Sequence, residues 1–136
     1  RQAAGESIFV LGWLDGAVVA RAELKLAGCA AESVQTCFPG VPEINGLDVV
    51  DSVQGKGIGT AVIRRLARLA VDRGFDRIGL GVEPTNDGAR RLYERLGFVG
   101  SLGYEDRYVV RARTGAELAF ADSCVFLTVA CAHLLR

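Results

Sequence analysis

Three closely spaced glycines, Gly55, Gly57 and Gly59, limit most strongly how this 136-residue chain can fold. They follow a β-prone stretch at 43–50 and lead into a predicted amphipathic helix at 59–73, in which apolar residues recur every three or four positions. The first N–H groups of a helix have no acceptor within it, and glycine lets several of them face one point. The pattern therefore predicts a site for phosphate or pyrophosphate, with a turn that serves packing only as the alternative.

The residues within this turn exclude two common phosphate sites. A P-loop requires Gly-Lys followed by Ser or Thr, whereas Lys56 is followed by Gly57. The dinucleotide-binding pattern G-x-G-x-x-G requires a glycine where this chain has Thr60. Nucleotide hydrolysis and dinucleotide redox chemistry are therefore disfavoured.

The rest of the chain predicts a mixed sheet with helices between its later strands. Apolar runs at 8–14 and 17–26 flank Asp15-Gly16, which favours a hairpin with a type I′ turn. Residues 27–42 are predicted to be a loop. Further along we predict a strand at 77–82, a helix at 87–96 capped by Asn86 or Thr85, extended segments at 98–102, 108–113 and 124–134, and a turn at 113–115. The predicted order is β-β-β-α-β-α-β-β, an α/β (α+β mixed-sheet) fold in one domain over 1–136.

Composition narrows the expected partners and location. Sixteen Lys and Arg balance sixteen Asp and Glu, so no net field attracts nucleic acid. No apolar run reaches the roughly 18–20 residues that span a bilayer, and the chain does not open on a signal-peptide pattern. A cytoplasmic protein without nucleic-acid or membrane partners is expected. Its four cysteines form no CxxC pair, so buried free thiols are expected rather than a metal site at Cys131 and His133.

Two motifs in the right order carry a family resemblance. The first is Gln54-Gly55-Lys56-Gly57-Ile58-Gly59, which fits the acyl-CoA pyrophosphate loop Q/R-x-x-G-x-G/A. The second fits N-x-x-A-x-x-L-Y-x-x-x-G-F and consists of Asn86, Ala89, Leu92-Tyr93-Glu94 and Gly97-Phe98. With both motifs, the sequence resembles the GNAT superfamily of acyl-CoA N-acyltransferases over residues 7–135. The resemblance implies the GNAT fold, acetyl-CoA as cosubstrate, an amine acceptor and no metal.

The resemblance also implies which residues contact the cofactor. Backbone groups of Leu47, Asp48 and Val49 would pair with the pantetheine arm, with ordinary strand pairing as the alternative. The pyrophosphate loop would begin at Gln54, and the N–H groups from Gly55 to Thr60 would hold the pyrophosphate. Asn86 matches a position beside the pantetheine, although a helix cap explains it equally well.

Two residues are candidates for the chemistry. Tyr93 matches the tyrosine that protonates the leaving thiolate in much of the family, with packing on the buried side of its helix as the alternative. Glu43 lies eleven residues before Gln54 and matches the glutamate base of the histone-acetylating branch. A solvated glutamate at a strand end is the competing interpretation, and a bound water chain is another possible base. Gly81 stands where the ribosomal-protein branch has its carboxylate, and Glu83 and Asp48 are other candidate bases.

One departure from the family limits the prediction of the acceptor. GNAT domains usually begin with a strand and two helices, and only the end of the second helix would fit before Ile8, so an N-terminally incomplete domain is expected. Residues 103–122 are expected to be either a wall of the acceptor groove or a solvated loop. The predicted activity is acetylation of a primary amine of a small molecule or peptide by direct attack, with a backbone N–H near Val49 holding the oxyanion. The alternative is a non-catalytic CoA-binding sensor or degenerate domain. A homodimer is compatible with the resemblance.

Overall fold

A computed structural model describes residues 6–136, which form a mixed α/β structure with a six-stranded sheet and four helices. The strands are β1 (Ser7–Leu14), β2 (Ala17–Lys25), β3 (Glu43–Val49), β4 (Arg77–Val82), β5 (Val99–Arg111) and β6 (Glu117–Ala130). The helices are α1 (Glu32–Cys37), α2 (Ile58–Asp72), α3 (Asp87–Arg95) and α4 (Cys131–Leu134), and a 3-10 turn spans Asp51–Val53. The expectation for the segment before Ile8 falls mainly on residues 1–5, which lie outside the described residues.

The sheet has the order β1-β2-β3-β4-β6-β5, and within it β3 and β4 are the parallel pair. All other neighbouring strands of the described chain pair antiparallel. The apolar stripe of α2 packs on one face of the sheet, and α1 covers part of the other face. The buried residues of α2 are Val62, Ile63, Leu66, Ala67 and Ala70. This arrangement confirms the predicted mixed sheet.

Local signals predicted several elements closely. The turn between β1 and β2 has positive φ at Asp15 (51°) and Gly16 (82°), as a type I′ turn requires. Helix α3 begins after Asn86, whose side chain accepts a 3.2 Å hydrogen bond from the Ala89 N–H. Asn86 is therefore the N-cap, and its side chain satisfies one of the N–H groups that have no partner within the helix.

The predicted loop at 27–42 is wrong in part, because it contains helix α1. This helix has only six residues, too few to be stable by itself in water. Its Gln35 side chain donates hydrogen bonds to the carbonyl oxygens of Ala27 (3.1 Å) and Cys29 (2.6 Å). These bonds to the preceding loop and the packing of Val34 in a cluster with Phe126 of β6 hold the helix, and sequence periodicity does not record them.

The end of the chain also differs from the prediction. The extended segments at 98–102 and 108–113 are one strand, β5, and the last strand runs from Glu117 to Ala130. Residues 131–134, predicted to continue the strand, form α4. The predicted turn at 113–115 is confirmed, but 103–122 is a two-stranded ribbon rather than a solvated loop. Cross-strand pairs stabilise it, including stacked Tyr108 and Phe120 rings with centroids 5.4 Å apart.

Candidate functional site

The parallel strands β3 and β4 separate soon after they meet. One bridge joins them, between Glu43 at the start of β3 and Gly79 in β4, with a 2.9 Å hydrogen bond from the Gly79 N–H to the Pro42 carbonyl beside it. Both strands continue past this bridge without further pairing to each other in the described chain. A gap therefore opens between them in the middle of the sheet, with backbone hydrogen-bonding groups along its edges.

A β-bulge at Gly46 shapes the β3 side of this gap. The register with β2 passes from Asn45 to Asp48 while β2 advances only two residues, and Gly46 has φ +62°. The extra residue lets both Ile44 and Leu47 face the α2 side of the sheet. The sequence analysis missed this bulge, although a glycine inside a strand is its usual signal.

The bulge and the pairing with β2 orient the last residue of β3. The Val50 N–H donates to the Val19 carbonyl on β2 at 2.8 Å. Because successive N–H groups of a strand point to opposite sides, the Val49 N–H faces the gap. Its side chain meanwhile packs towards the α2 core, as expected.

The glycine turn continues directly from this strand. Gly55 and Gly57 have φ +79° and +80°, and Gly57 is the N-cap of α2. The Gln54 side-chain amide donates to the Val49 carbonyl (2.9 Å) and to the Asp51 carboxylate (3.1 Å), which ties the turn to the end of β3. Within residues 6–136, the N–H groups from 55 to 60 have no hydrogen-bond acceptor. This end of α2 is therefore suited to an anion.

The gap, the turn and helix α3 enclose a cleft of about 590 Å³. It is lined by eleven of the twelve residues predicted to contact the cofactor. They are Leu47, Asp48, Val49, Gln54, Gly55, Gly57, Ile58, Gly59, Thr60, Asn86 and Tyr93. Lys56 is exposed and does not line the cleft, and Arg95, which was not predicted, does.

Tyr93 lies in α3 on the cleft side. Its ring packs against Phe98 with centroids 5.7 Å apart, so it also contributes to the core as the alternative interpretation held. Burial raises the pKa of its phenol above the ordinary value of 10.0. The hydroxyl therefore keeps its proton at neutral pH and is available as a donor.

Glu43 does not line the cleft and lies on the opposite face of the sheet. Its neighbour Ile44 faces the α2 core, so the Glu43 side chain points to the α1 face, where Lys25 Nζ lies 3.8 Å from its Oε1. Burial raises the pKa of its carboxyl above 4.5, and the positive charge of Lys25 and a hydrogen bond from the Cys29 thiol oppose that rise. Glu43 is therefore a partly buried carboxylate with a shifted pKa rather than a freely solvated one.

The other candidate bases and the metal half-site have different surroundings. Glu83 and Asp48 are exposed, and the Tyr104 hydroxyl lies where a Cβ of Gly81 would be. Cys131 is buried, and His133 Nδ1 lies 2.7 Å from a guanidinium nitrogen of Arg136. Across the described part of the chain, no three His, Cys, Asp or Glu side chains converge as metal ligands would.

No helix among residues 6–136 is long and apolar enough to cross a bilayer.

Comparison with known proteins identifies the class to which this fold and cleft belong. The profile of the acetyltransferase (GNAT) family matches residues 2–98, and the chain belongs to this family. The resemblance seen in the two motifs is thereby confirmed.

Individual relatives show the extent of the similarity. The mycothiol acetyltransferase of Beutenbergia cavernae is 38% identical over 84 residues, which are 62% of this chain and a quarter (25%) of that protein. The fold is similar to the IAA acetyltransferase of Bacillus cereus (TM-score 0.68, 19% identity, 91% of this chain and 77% of that one). It is also similar to yncA of Salmonella typhimurium, whose structure contains its cofactor acetyl-CoA (TM-score 0.62, 20% identity, 90% and 64%).

Proposed function

We propose that this chain transfers the acetyl group of acetyl-CoA to a primary amine of a small molecule or peptide. One observation carries the proposal: the N–H groups from Gly55 to Thr60, which have no acceptor among residues 6–136, lie beside the gap between β3 and β4. Such a run suits a pyrophosphate, and the adjoining strand edge suits an extended amide-containing arm. The presence of acetyl-CoA in the related Salmonella structure supports the same cofactor here.

In this proposal the cofactor lies along the whole cleft. Its pantetheine arm pairs with the gap-facing backbone of Leu47 to Val49, much as another strand would. The Asn86 side-chain oxygen already accepts from Ala89, so the NH₂ of this amide is the group left to donate to the arm. Arg95 adds a positive charge at the lining of the cleft.

The proposed chemistry is direct attack on the thioester. The amine nitrogen forms a bond to the acetyl carbonyl carbon, and the Val49 N–H stabilises the negative oxygen of the tetrahedral intermediate. The C–S bond then breaks, and Tyr93 gives its proton to the CoA thiolate. Glu43 accepts the proton that the amine loses, so the products are an N-acetyl amide and CoA with a free thiol.

The two sides of the sheet separate the reactants in this scheme. The cleft that would hold acetyl-CoA is on the α2 and α3 side, whereas Glu43 faces the α1 side. We infer that the acceptor approaches the gap from the α1 side. The mycothiol acetyltransferase relative is four times as long as its aligned part, so the similarity does not identify the acceptor of this chain.

Thermal unfolding with separate additions of acetyl-CoA, CoA and ATP tests the cofactor. A ligand that binds only the folded state at about 100 times its Kd adds roughly 2.7 kcal/mol and raises Tm by several degrees. We expect both CoA species to stabilise the chain and ATP to have little effect. Equal or absent effects of all three would contradict the proposal.

Turnover then separates an enzyme from a CoA-binding module. Release of CoA thiol is followed with a primary alkylamine, an amino sugar and a peptide with a free α-amino group. Acetylation of any of them supports the transferase. Stabilisation by CoA without turnover of any amine favours the non-catalytic alternative. The cytoplasmic location, the homodimer and the single domain over 1–136 stay predictions of the sequence.

A further inference from the structure

Gly81 lies on the β4 edge of the gap, two residues past the bridge to β3. The Gly79 N–H points across to β3, where it donates to the Pro42 carbonyl at 2.9 Å. Because the direction of these groups repeats at every second residue of a strand, the N–H and C=O of Gly81 point the same way, into the gap. A side chain at this position would extend over the α1 face, since the flanking Leu80 and Val82 belong to the α2 core.

The hydroxyl of Tyr104 occupies the place of that absent side chain. A Cβ at Gly81 would overlap the hydroxyl oxygen. Tyr104 is on β5, and β6 lies between β5 and β4, so this side chain reaches across β6 to the edge of the gap. Its ring meets Phe126 of β6 edge-on, with centroids 6.2 Å apart, and a Cβ at Gly79 would lie 2.5 Å from Cζ of the same Phe126. The two glycines thus let both rings lie directly on the sheet, and the ring packing fixes the direction of the hydroxyl.

This hydroxyl has no hydrogen-bond partner in the described chain. None of the side-chain hydrogen bonds among residues 6–136 involves it. Every fully buried side-chain nitrogen or oxygen of the same residues does have a partner, so the Tyr104 hydroxyl is not sealed from solvent. A polar group that packing holds in place, unpaired and accessible at the gap, is suited to bind a ligand.

Glu43 faces the same opening from β3. It lies opposite Gly79 at the bridge, and its side chain points to the α1 face as the Tyr104 hydroxyl does. With the usual spacing of residues and strands, the Cα atoms of Glu43 and Gly81 are about 8 Å apart. A nitrogen atom between the carboxylate and the hydroxyl can therefore direct one N–H to each of them.

We propose that Tyr104 binds the acceptor amine and makes the site selective for primary amines. One N–H of the neutral amine donates to the Tyr104 oxygen and the other to Glu43, which leaves the nitrogen lone pair directed through the gap at the thioester. A secondary amine has a single N–H and cannot satisfy both groups. The inference rests on the proposed function, in which the acceptor approaches from the α1 side and Glu43 accepts its proton.

Kinetics with matched pairs of amines test this role. Each amine of the above panel is compared with its N-methyl derivative, a secondary amine. We expect the wild type to prefer the primary amine, and Tyr104→Phe to lower kcat/KM for the primary amine about tenfold and to reduce that preference. KM for acetyl-CoA and Tm should not change. Tyr108→Phe is the matched control, because Tyr108 lies on the same strand and bonds Asp122 instead. The same ratio of primary to secondary amine in Tyr104→Phe as in the wild type overturns the inference.

NMR of the full chain tests the contact without turnover. The chain has three tyrosines, so after ¹³C labelling of tyrosine the Tyr104 signal is assigned from its loss in Tyr104→Phe, or by elimination from Tyr93→Phe and Tyr108→Phe. With CoA present, we expect n-butylamine, glucosamine or trialanine to shift the Tyr104 signal to a saturating value and to leave Tyr108 unchanged. No shift of Tyr104 with any of the three overturns the inference. Absence of wild-type turnover contradicts the proposed function instead, and the shift of Tyr104 then decides this inference by itself.

Discussion

At the residue scale, burial raises the pKa of both Tyr93 and Glu43 above their ordinary values. Tyr93 packs on Phe98 at the cleft, and burial keeps its hydroxyl protonated at neutral pH. Glu43 lies on the other face of the sheet, where burial and Lys25 act on its carboxyl in opposite directions. In the proposed scheme the protonated phenol of Tyr93 gives a proton and the carboxylate of Glu43 takes one.

Tyr93→Phe removes the donor and keeps the ring that packs on Phe98. We expect kcat for acetyl transfer to fall at least about 100-fold, because a positioned acid typically contributes that much. KM for acetyl-CoA and Tm should stay close to the wild-type values. Steady-state kinetics measures this, with Tyr108→Phe in the exposed ribbon as the control. A wild-type kcat in Tyr93→Phe would exclude the acid role.

The raised pKa of Glu43 has a consequence for stability. Above its ordinary value of 4.5, the carboxyl ionises readily in the unfolded chain but not in the folded one, so ionisation favours unfolding. The wild-type free energy of unfolding should therefore fall, relative to that of Glu43→Gln, as the pH rises from 4.5 through the folded-state pKa.

Urea unfolding of both proteins at several pH values from about 4 to about 8 measures this difference. Glu117→Gln is the control, because Glu117 forms an exposed pair with Arg111 (3.0 Å) that contributes little. A difference between Glu43→Gln and wild type that does not grow with pH would show that Glu43 is not held as described.

At the scale of the element, the start of α2 depends on backbone conformation more than on space. Gly57 has φ +80°, and no atom of the described residues lies within 4 Å of a Cβ built on it, so Gly57→Ala strains the backbone without a clash there. We expect the backbone strain to lower the free energy of unfolding by about 1–2 kcal/mol. We also expect weaker binding of acetyl-CoA, because the N–H groups at the start of α2 would no longer face one point.

Gly59→Ala is the matched control in the same turn. Its φ is not positive, and a Cβ there would lie 3.7 Å from Leu92 Cδ2, an ordinary contact. Alanine also favours a helix over glycine, so stability should be unchanged or higher. Denaturant unfolding and calorimetric titration with acetyl-CoA compare the two variants. Equal behaviour of both would contradict the assigned role of the Gly57 conformation.

At the scale of the whole molecule, the four cysteines report on different parts of the fold. Cys37 is exposed, Cys124 is half-buried, and Cys29 and Cys131 are buried on opposite sides of the sheet. Burial also raises the pKa of the thiols of Cys29, Cys124 and Cys131, which keeps them as unreactive thiols.

Thiol titration with an aromatic disulfide should therefore find one fast thiol in the native chain and all four after unfolding. Cys124 should react more slowly, and Cys29 and Cys131 should react only as the molecule opens. Cys37→Ser should remove the fast phase and leave the others. Fast reaction of Cys29 or of Cys131 in native buffer would contradict the packing of the face on which that cysteine lies.

Sequence patterns predicted those features that neighbouring residues decide. The Asp15-Gly16 turn, the stripe of α2 and the Asn86 cap each depend on residues within a few positions, so they were predicted correctly. Helix α1 was missed because it is only six residues long and its buried Val34 packs in a cluster with Phe126 of β6, far away in the chain. The continuous strand β5 was missed because its middle is polar and is stabilised by pairing with β6.

By itself, the sequence determined the family and the turn, since two motifs with local backbone requirements carry both. Only the tertiary structure decided how the candidate site residues are distributed between the two faces of the sheet. The single bridge between Glu43 and Gly79 opens the gap, and the bulge at Gly46 orients its edge. Tyr104 reaches Gly81 from another strand. Contacts between residues far apart in the chain depend on strand order and register, which no local pattern encodes.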